Sequence, residues 1–222
     1  MPTKNYYLVI DTETANGLDE PLTYDIGFAV IDKKGNIYET FSYIVSEVFY
    51  GMRDVMQSAY YAAKIPKYEK DIAEGKRVVA PFAVIRAKVI EMLNKYQITA
   101  VIAHNARFDV TALNTTQRYL TKSKYRYFFP YGTQIWDSLA MARTTIGRQP
   151  TYKMWCEERG YITRNGMPKL TAEVLYRFIT QDETFDESHT ALEDVLIELL
   201  IFVRCVRQRK KMQRTYWRTV NG

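Results

Sequence analysis

The segment "YDIGFAVIDKKGNIYETFSYIV", from Tyr24 to Val45, contains two runs rich in β-branched and aromatic residues, joined by a short link. Such runs predict strands at 24–32 and 37–45. The link "KKGN" at 33–36 is a short turn signal, so we predict that the two strands pair as an antiparallel hairpin. An early hairpin decides the sheet type, because strands joined later by crossover helices are parallel and the sheet becomes mixed.

The sequence on both sides of the hairpin alternates between strand-like and helix-like segments. Three further strands are predicted at 6–13, 99–106 and 133–138, and three helices at 81–96, 108–120 and 190–209. Apolar residues in the first of these helices recur at helical spacing, and Pro81 suits its first turn. The order predicts an α/β fold with a mixed five-stranded sheet flanked by helices.

Composition predicts one folded domain. The chain has 222 residues, of which 47% are hydrophobic and 25% charged, values that argue against disorder. We expect a single domain over 1–222 with a helical insertion around 48–80, where no period is clear. No apolar run approaches the roughly 18 to 20 residues that cross a bilayer, and the N-terminus lacks a signal-peptide layout, so we expect a cytoplasmic protein.

The cysteines and the C-terminal charges restrict the classes of partner. Cys156 and Cys205 have no CxxC or Cys/His spacing, which argues against a zinc site or a disulfide framework. Net charge is +6, and the tail at 204–222 carries seven basic residues, no acid, and aromatics at Tyr216 and Trp217. This tail either contacts a phosphate backbone or ends a solvated helix.

Acidic residues follow the predicted strands where packing alone does not explain them. Asp11 and Glu13 are two apart at the end of the first strand, so both side chains point to the same face. In "HNARFD", His104 to Asp109, a polar stretch follows the buried run "AVIA", and Asp109 falls at a helix start. Asp137, in "IWDSLA", is interpreted mainly as a helix cap.

The last helix begins with a further histidine and acid. In "ESHTALEDVL", Glu187 to Leu196, Thr190 and Glu193 fit a capping box. His189 then lies just outside the helix and Asp194 lies in its first turns. A histidine on a mobile loop with an acid on a rigid helix is a more useful arrangement than both on the helix, where a separation of five residues would place them about 140° apart.

Together these segments resemble a known family. "DTET", "HNARFD" and "HTALED" match the D-x-E, N-x-x-F-D and H-x-A-x-x-D motifs of the DEDDh 3′-to-5′ exonucleases, in the family's order, and "DIGFAVID" resembles the family's second strand. These enzymes are the DnaQ-like branch of the ribonuclease H-like superfamily. The resemblance spans 9–200 and implies a ribonuclease H-like fold.

The resemblance implies a catalytic site and a cofactor. Asp11, Glu13, Asp109 and Asp194 would hold two divalent cations, Mg²⁺ or Mn²⁺, and His189 would be the general base. Several carboxylates remain ionised together only when cations neutralise them, and hard oxygen ligands favour Mg²⁺ or Mn²⁺ over zinc.

The resemblance also implies a pocket for the terminal nucleotide. Its lining would come from the backbone around Thr12 and Thr14 and from the side chains of His104, Asn105 and Phe108, although Phe108 could equally anchor its helix in the core. Leu18 is the candidate wedge that separates the last bases. Many relatives have "DTETTG", whereas this chain has "DTETANG", with one residue more before the glycine.

The predicted function is hydrolysis of DNA from the 3′ end to nucleoside 5′-monophosphates, by a stand-alone nuclease or a proofreading subunit with a polymerase partner. Single-stranded DNA and DNA 3′ ends are the expected substrates. The first alternative is a 3′-to-5′ exoribonuclease or oligoribonuclease on the same fold. The second is a catalytically silent nucleic-acid binding module, since a fold does not imply an activity.

Overall fold

The structure is a computed structural model that describes residues 5–15, 20–58, 62–121, 126–187, 189–208 and 210–214. Its strands are β1 (Tyr6–Ala15), β2 (Leu22–Asp32), β3 (Ile37–Val45), β4 (Val78–Ala80), β5 (Ala100–Ala103) and β6 (Ile135–Asp137). They form one sheet in the order β4-β3-β2-β1-β5-β6.

The strand pairing confirms the predicted mixed sheet. β2 pairs antiparallel with both β1 and β3, as the hairpin predicted, whereas β5 pairs parallel with β1 and β6. The predicted number of five strands was wrong, because Val78–Ala80, at the end of the predicted helical insertion, pairs parallel with β3. A strand of three residues is too short to show an alternating pattern.

The helices lie on both faces of the sheet. They are α1 (Ser46–Phe49), α2 (Arg53–Ser58), α3 (Ile65–Ala73), α4 (Phe82–Lys95), α5 (Arg107–Leu120), α6 (Ser138–Thr144), α7 (Pro150–Glu158), α8 (Ala172–Thr180) and α9 (Ala191–Arg207). Single 3₁₀ turns occur at Ala62–Lys64 and Ile146–Arg148. The predicted helices at 81–96, 108–120 and 190–209 correspond to α4, α5 and α9.

Alternate residues of β1 enter two different apolar cores. Leu8 and Ile10 pack with α4, α5 and the insertion helices α1 to α3. Tyr7 and Val9 pack on the other face, with α6 to α9. Because side chains alternate along a strand, the odd-numbered positions beyond Val9 continue on the side of α9. This periodicity directs the first two acids towards the last helix.

The described part of the basic tail lies against the edge of the sheet. The Asp137 N–H at the end of β6 donates to the Arg214 carbonyl at 2.7 Å. The Arg214 guanidinium lies 5.0 Å from the centre of the Trp136 ring. The tail's remaining positions, Arg209 and 215–222, lie outside the described residues. Part of the tail therefore lies along β6, the strand at this edge of the sheet.

Two further predictions concern the thiols and the membrane. Cys156 and Cys205 are both buried free thiols, which agrees with the absence of a disulfide or zinc pattern. Across the described ranges, no helix combines the length and the apolar character that a membrane crossing requires.

Candidate active site

Three carboxylates converge beside the end of β1. Asp11 and Glu13 lie on the α9 side of the strand, and Asp194 lies in the first turn of α9. One carboxylate oxygen from each residue lies within 4.8 Å of the others. Like charges this close in a buried site repel one another strongly unless a cation or protons neutralise them.

The start of α9 is fixed against β2 by two features. A Cβ atom at Gly27 would lie 2.3 Å from the Ala191 carbonyl carbon and from the Leu192 nitrogen, so only glycine permits this approach. Nearby, Asp25 Oδ2 accepts the Ala191 N–H at 3.1 Å. Asp25 thereby caps the N-terminus of the helix from the neighbouring strand. These contacts determine where Asp194 lies.

Asp109 is held against β1 by Thr12. Its Oδ1 atom accepts hydrogen bonds from the Thr12 backbone N–H at 3.0 Å and from the Thr12 hydroxyl at 2.9 Å. Asp109 is 2% exposed and lies in the first turn of α5, as the sequence predicted. These two bonds fix Asp109 Oδ1 against β1, the strand that carries Asp11. β1 therefore sets the orientation of the Asp109 carboxylate relative to Asp11.

The buried oxygen atoms of the site fit a divalent cation. Among the described residues, Asp194 Oδ1 and Glu198 Oε2 are buried without a hydrogen-bond partner. Glu198 lies four residues after Asp194 on α9, on the same face of the helix. An unpartnered buried carboxylate is costly, and hard oxygen donors are the preferred ligands of Mg²⁺ and Mn²⁺. The donor set therefore agrees with the predicted class of metal.

The acids of the site hold their protons unusually tightly in the absence of a cation. Burial, followed by the charge of Asp194, raises the pKa of Glu13 to about 9. Burial also raises the pKa of Asp194 to about 8, and that of Asp109 to about 7 against the lowering effect of its Thr12 bonds. The pKa of Asp11 is raised well above its ordinary value by burial and then by Asp109. A bound cation would favour the ionised forms.

His189 lies beside Asp194 on the loop before α9. Its Nδ1 atom is 3.8 Å from Glu187 Oε2, and one ligand atom each from Glu187, His189 and Asp194 lies within 4.8 Å of the others. The His189 backbone has a φ of +50°, in the left-handed region. Burial, followed by the charge of Lys64, lowers the pKa of its imidazole. The neutral form of the ring, which is the form that can accept a proton, is therefore favoured.

One pocket connects these groups. It is lined by Asp11, Thr12, Glu13, Thr14, His104, Asn105, Phe108, Asp109, Ala172, Glu187, His189, Asp194 and Glu198. Every predicted catalytic residue lines this pocket, although the segments that supply them are far apart in the chain.

Comparison with known proteins identifies the fold. No protein-family model matches the chain, and no curated protein sequence matches it. The nuclease domain of 3′hExo, a DEDDh family member, bound to rAMP, aligns with a TM-score of 0.61 and 12% identity over 98% of this chain and 99% of that chain. The chain has the fold of the DEDDh 3′-exonucleases.

Two further solved structures have a similar fold. A 3′-exonuclease described for 3′-end recognition of the histone mRNA stem-loop aligns with a TM-score of 0.62 and 11% identity over 96% of this chain and 87% of that chain. E. coli exonuclease I in complex with a 5cy-dT13 oligonucleotide aligns with a TM-score of 0.54 and 14% identity. The alignment covers 93% of this chain and 41% of exonuclease I.

Within this DEDDh fold, His104 and Asn105 hold the pocket wall together. His104 Nε2 lies 2.8 Å from the Leu170 carbonyl oxygen, which requires a proton on Nε2, and Nδ1 lies 2.9 Å from Ser138 Oγ. The Asn105 N–H donates to Asp137 Oδ1 at 3.0 Å. The same Asp137 oxygen accepts the Leu139 N–H, which confirms that Asp137 caps α6. Both ring nitrogens of His104 therefore have hydrogen-bond partners within the protein.

The remaining pocket predictions have different outcomes. Phe108 and Thr14 are half-buried and line the pocket. Thr190 is the N-cap of α9, but its side chain makes no cap hydrogen bond to the helix backbone and its hydroxyl donates instead to the Glu193 carboxylate. The predicted capping box is therefore wrong, because Asp25 from β2 accepts the first helical N–H in its place. Leu18 lies outside the described residues.

Sequence reasoning missed Glu187 and Glu198, which line the pocket, and Lys64, which contacts the His189 carbonyl oxygen. Glu198 had a readable signal, because a residue four positions after Asp194 on a helix shares its face. Glu187 lies two residues before His189 and has no separate signal in the sequence. Lys64 carried no signal, since it belongs to the insertion and reaches the site only through the tertiary fold.

Proposed function

We propose that the protein is a metal-dependent 3′-to-5′ exonuclease that releases nucleoside 5′-monophosphates. The observation that carries this proposal is the convergence of Asp11, Glu13 and Asp194, whose oxygens lie within 4.8 Å of one another. Asp109 and His189 line the same pocket. A silent binding module is disfavoured, because carboxylates that lack a cation would repel the phosphates of a nucleic acid.

The residues that would hold the cations are Asp11, Glu13, Asp109 and Asp194. When bound, two divalent ions supply charge neutralisation at the phosphodiester and a more acidic attacking water. The unpartnered Asp194 Oδ1 and the raised carboxyl pKa values support this assignment, since cation binding would replace the protons. Mg²⁺ and Mn²⁺ are the ions that suit all-oxygen ligands.

His189 is assigned as the general base. Its Nδ1 faces the Glu187 carboxylate, which favours the tautomer with hydrogen on Nδ1 and a lone pair on Nε2. Nε2 then accepts the proton of the attacking water as the water oxygen bonds to phosphorus. The P–O3′ bond breaks and the O3′ oxygen takes a proton from solvent, so the shortened chain leaves with a 3′-hydroxyl and the terminal nucleotide leaves as a 5′-monophosphate. Such a base contributes about 10² to 10⁴ in rate.

The proposed substrate is a DNA 3′ end, with RNA as the alternative. Exonuclease I was solved with a dT13 oligonucleotide, which supports DNA. The nuclease domain of 3′hExo was solved with rAMP, and its alignment covers nearly the whole of both chains, which supports RNA. Thr14, Asn105 and Phe108 are the residues we assign to the terminal nucleotide. The polymerase partner stays a prediction.

The test uses 5′-labelled oligonucleotides of one sequence, as single-stranded DNA, duplex DNA and RNA. Each is incubated with the protein and Mg²⁺, Mn²⁺ or EDTA. We expect a ladder that shortens from the 3′ end in metal only, fastest on single-stranded DNA. A faster ladder on RNA would move the assignment to an exoribonuclease, and tight binding without cleavage in any metal would support the silent module.

A further inference from the structure

The insertion that precedes α4 contacts the loop that carries His189. Lys64, the residue before α3, is half-buried, and its Nζ atom donates to the His189 carbonyl oxygen at 3.3 Å. The two residues are 125 positions apart in the chain. A segment without a recognisable motif therefore reaches the backbone of the proposed general base.

The same face of α3 also contacts the start of α9. Lys67 and Tyr68 follow Lys64 by three and four residues, which is the spacing of one helix face. Lys67 Nζ lies 3.5 Å from a Glu193 carboxylate oxygen. The Tyr68 hydroxyl donates at 2.9 Å to Asp25 Oδ2, the oxygen that also accepts the Ala191 N–H. One face of the insertion thus contacts the His189 loop through Lys64, α9 through Lys67, and, through Tyr68, the β2 residue that caps α9.

The Asp25 contact includes a buried cation, the Arg77 guanidinium. Arg77, at the other end of the insertion, donates from Nη1 to Asp25 Oδ2 at 3.1 Å and from Nε to Asp71 Oδ2 at 3.1 Å. The Asp25 and Arg77 side chains are 0% and 6% exposed. A buried ion pair of this kind fixes geometry, since removing one partner leaves the other uncompensated. α3 is therefore attached to β2 through Tyr68 and Arg77.

His189 has a backbone conformation that needs such support. A non-glycine residue at a φ of +50° is in a sparsely populated region and persists only where its surroundings favour it. In this conformation the carbonyl points to Lys64 and the imidazole lines the pocket. Loss of the carbonyl contact would let the loop relax to a commoner conformation and turn the ring away.

We propose that Lys64 is a positioning residue, which holds the His189 backbone in its left-handed conformation and so keeps the imidazole directed into the catalytic pocket. The helical insertion is then part of the active site. This inference rests on the proposed nuclease function for its kinetic consequence, but its structural consequence can be measured without any activity.

The structural test is hydrogen exchange of the peptide that spans 185–191, measured by mass spectrometry. The variants are Lys64→Met, Lys64→Arg and the control Lys70→Met, whose side chain is 73% exposed and pairs with Glu74. Lys64→Met should increase exchange of this peptide by about 10-fold, the effect of one lost hydrogen bond. Lys64→Arg and Lys70→Met should match the parent. Equal exchange in all four proteins would overturn the proposal.

The kinetic test combines Lys64→Met with His189→Ala. Alone, Lys64→Met should lower kcat by about 10- to 10²-fold and leave KM unchanged, because a misdirected base affects the chemical step. In the His189→Ala background it should lower kcat by less than about twofold, since a residue that acts through His189 has nothing further to act on.

The outcomes separate this inference from the proposed function. A raised KM with unchanged kcat would assign Lys64 to substrate binding, and full additivity with His189→Ala would also overturn the positioning role. A parent protein that cleaves no nucleic acid in Mg²⁺ or Mn²⁺ would refute the nuclease proposal. In that case the hydrogen-exchange result still decides whether Lys64 holds the loop.

Discussion

Thr12 and Asp109 are joined by two hydrogen bonds to one oxygen atom, although they lie 97 positions apart. The Thr12 N–H and hydroxyl both donate to Asp109 Oδ1, at 3.0 and 2.9 Å. These bonds connect β1, which carries Asp11 and Glu13, with the first turn of α5. The residue between the two acids of the D-x-E motif therefore orients the third acid of the site.

Replacing Thr12 with valine should weaken cation binding. Thr12→Val keeps the backbone N–H bond to Asp109 and the shape of the side chain, but removes the hydroxyl bond. Loss of a group that orients a metal ligand typically costs 10- to 100-fold in affinity, and we expect about 10-fold here because one of the two bonds remains. Isothermal titration with Mn²⁺ measures the change.

The matched control for this prediction is Thr180→Val. The Thr180 hydroxyl is exposed and donates to the Tyr176 carbonyl within its own helix. Its loss should leave the Mn²⁺ affinity unchanged. If Thr12→Val also binds Mn²⁺ with the parental affinity, the Thr12 hydroxyl has no part in the orientation of Asp109.

The raised pKa of Glu13 predicts a pH-dependent stability without metal. Folded Glu13 has a pKa of about 9, against an ordinary value of 4.5. Between these values the folded state keeps a proton that the unfolded chain has lost. The stability that this proton supports is complete below pH 4.5 and is lost as pH rises towards 9. Glu13→Gln, which cannot ionise, avoids that loss.

Thermal unfolding in EDTA from pH 5 to pH 9 tests whether the stability falls with rising pH as predicted. The Tm of Glu13→Gln should exceed that of the parent by an amount that grows with pH, while the exposed control Glu157→Gln should follow the parent. Added Mn²⁺ should raise the parental Tm more than that of the variant, since the ion binds the carboxylate. A Tm difference that is constant or shrinks with rising pH would refute the prediction that buried Glu13 keeps its proton in the folded state.

Gly27 should be intolerant of any side chain. In Gly27→Ala the new Cβ would meet the Ala191 and Leu192 backbone at 2.3 Å, so α9 must move away from β2. We expect a loss of about 3 kcal/mol in the free energy of unfolding, at the upper end for overpacking because backbone cannot yield as a side chain does. Urea denaturation measures it.

Gly147→Ala is the control for that substitution. Its Cβ would contact the end of the Leu170 side chain at 3.3 Å, which can shift by a small amount. This variant should unfold within about 1 kcal/mol of the parent. Equal stability of the two variants would mean that α9 is not packed on β2 as closely as described.

Local sequence patterns predicted the fold where each element carries its own signal. The turn "KKGN" and the strands around it predicted the β2–β3 hairpin, and the apolar period of 81–96 predicted α4. The acids were predicted because Asp11, Glu13 and Asp109 follow apolar strands or begin a helix, where hydrophobic packing does not require them. The apolar spacing of a helix and the residue types of a turn are local features, so they can be recognised in a single sequence.

Features that depend on contacts between distant segments could not be predicted in this way. β4 is three residues long and is a strand only because β3 lies beside it. Lys64 reaches His189 because Tyr68 and Arg77 converge on Asp25, a cluster with no spacing signature in the sequence. These arrangements arise when the chain packs, and only the structure reveals them.

The proposed metal-dependent 3′-exonuclease activity depends on Asp11 and its neighbouring carboxylates. The most direct measurement is the digestion of a 5′-labelled single strand by the parent, Asp11→Ala and the exposed control Asp54→Ala, with Mg²⁺ or EDTA. We predict 3′ shortening and release of nucleoside 5′-monophosphates by the parent and Asp54→Ala in Mg²⁺ alone, and none by Asp11→Ala. Cleavage that persists in EDTA, or an Asp11→Ala protein as active as the parent, would contradict the account.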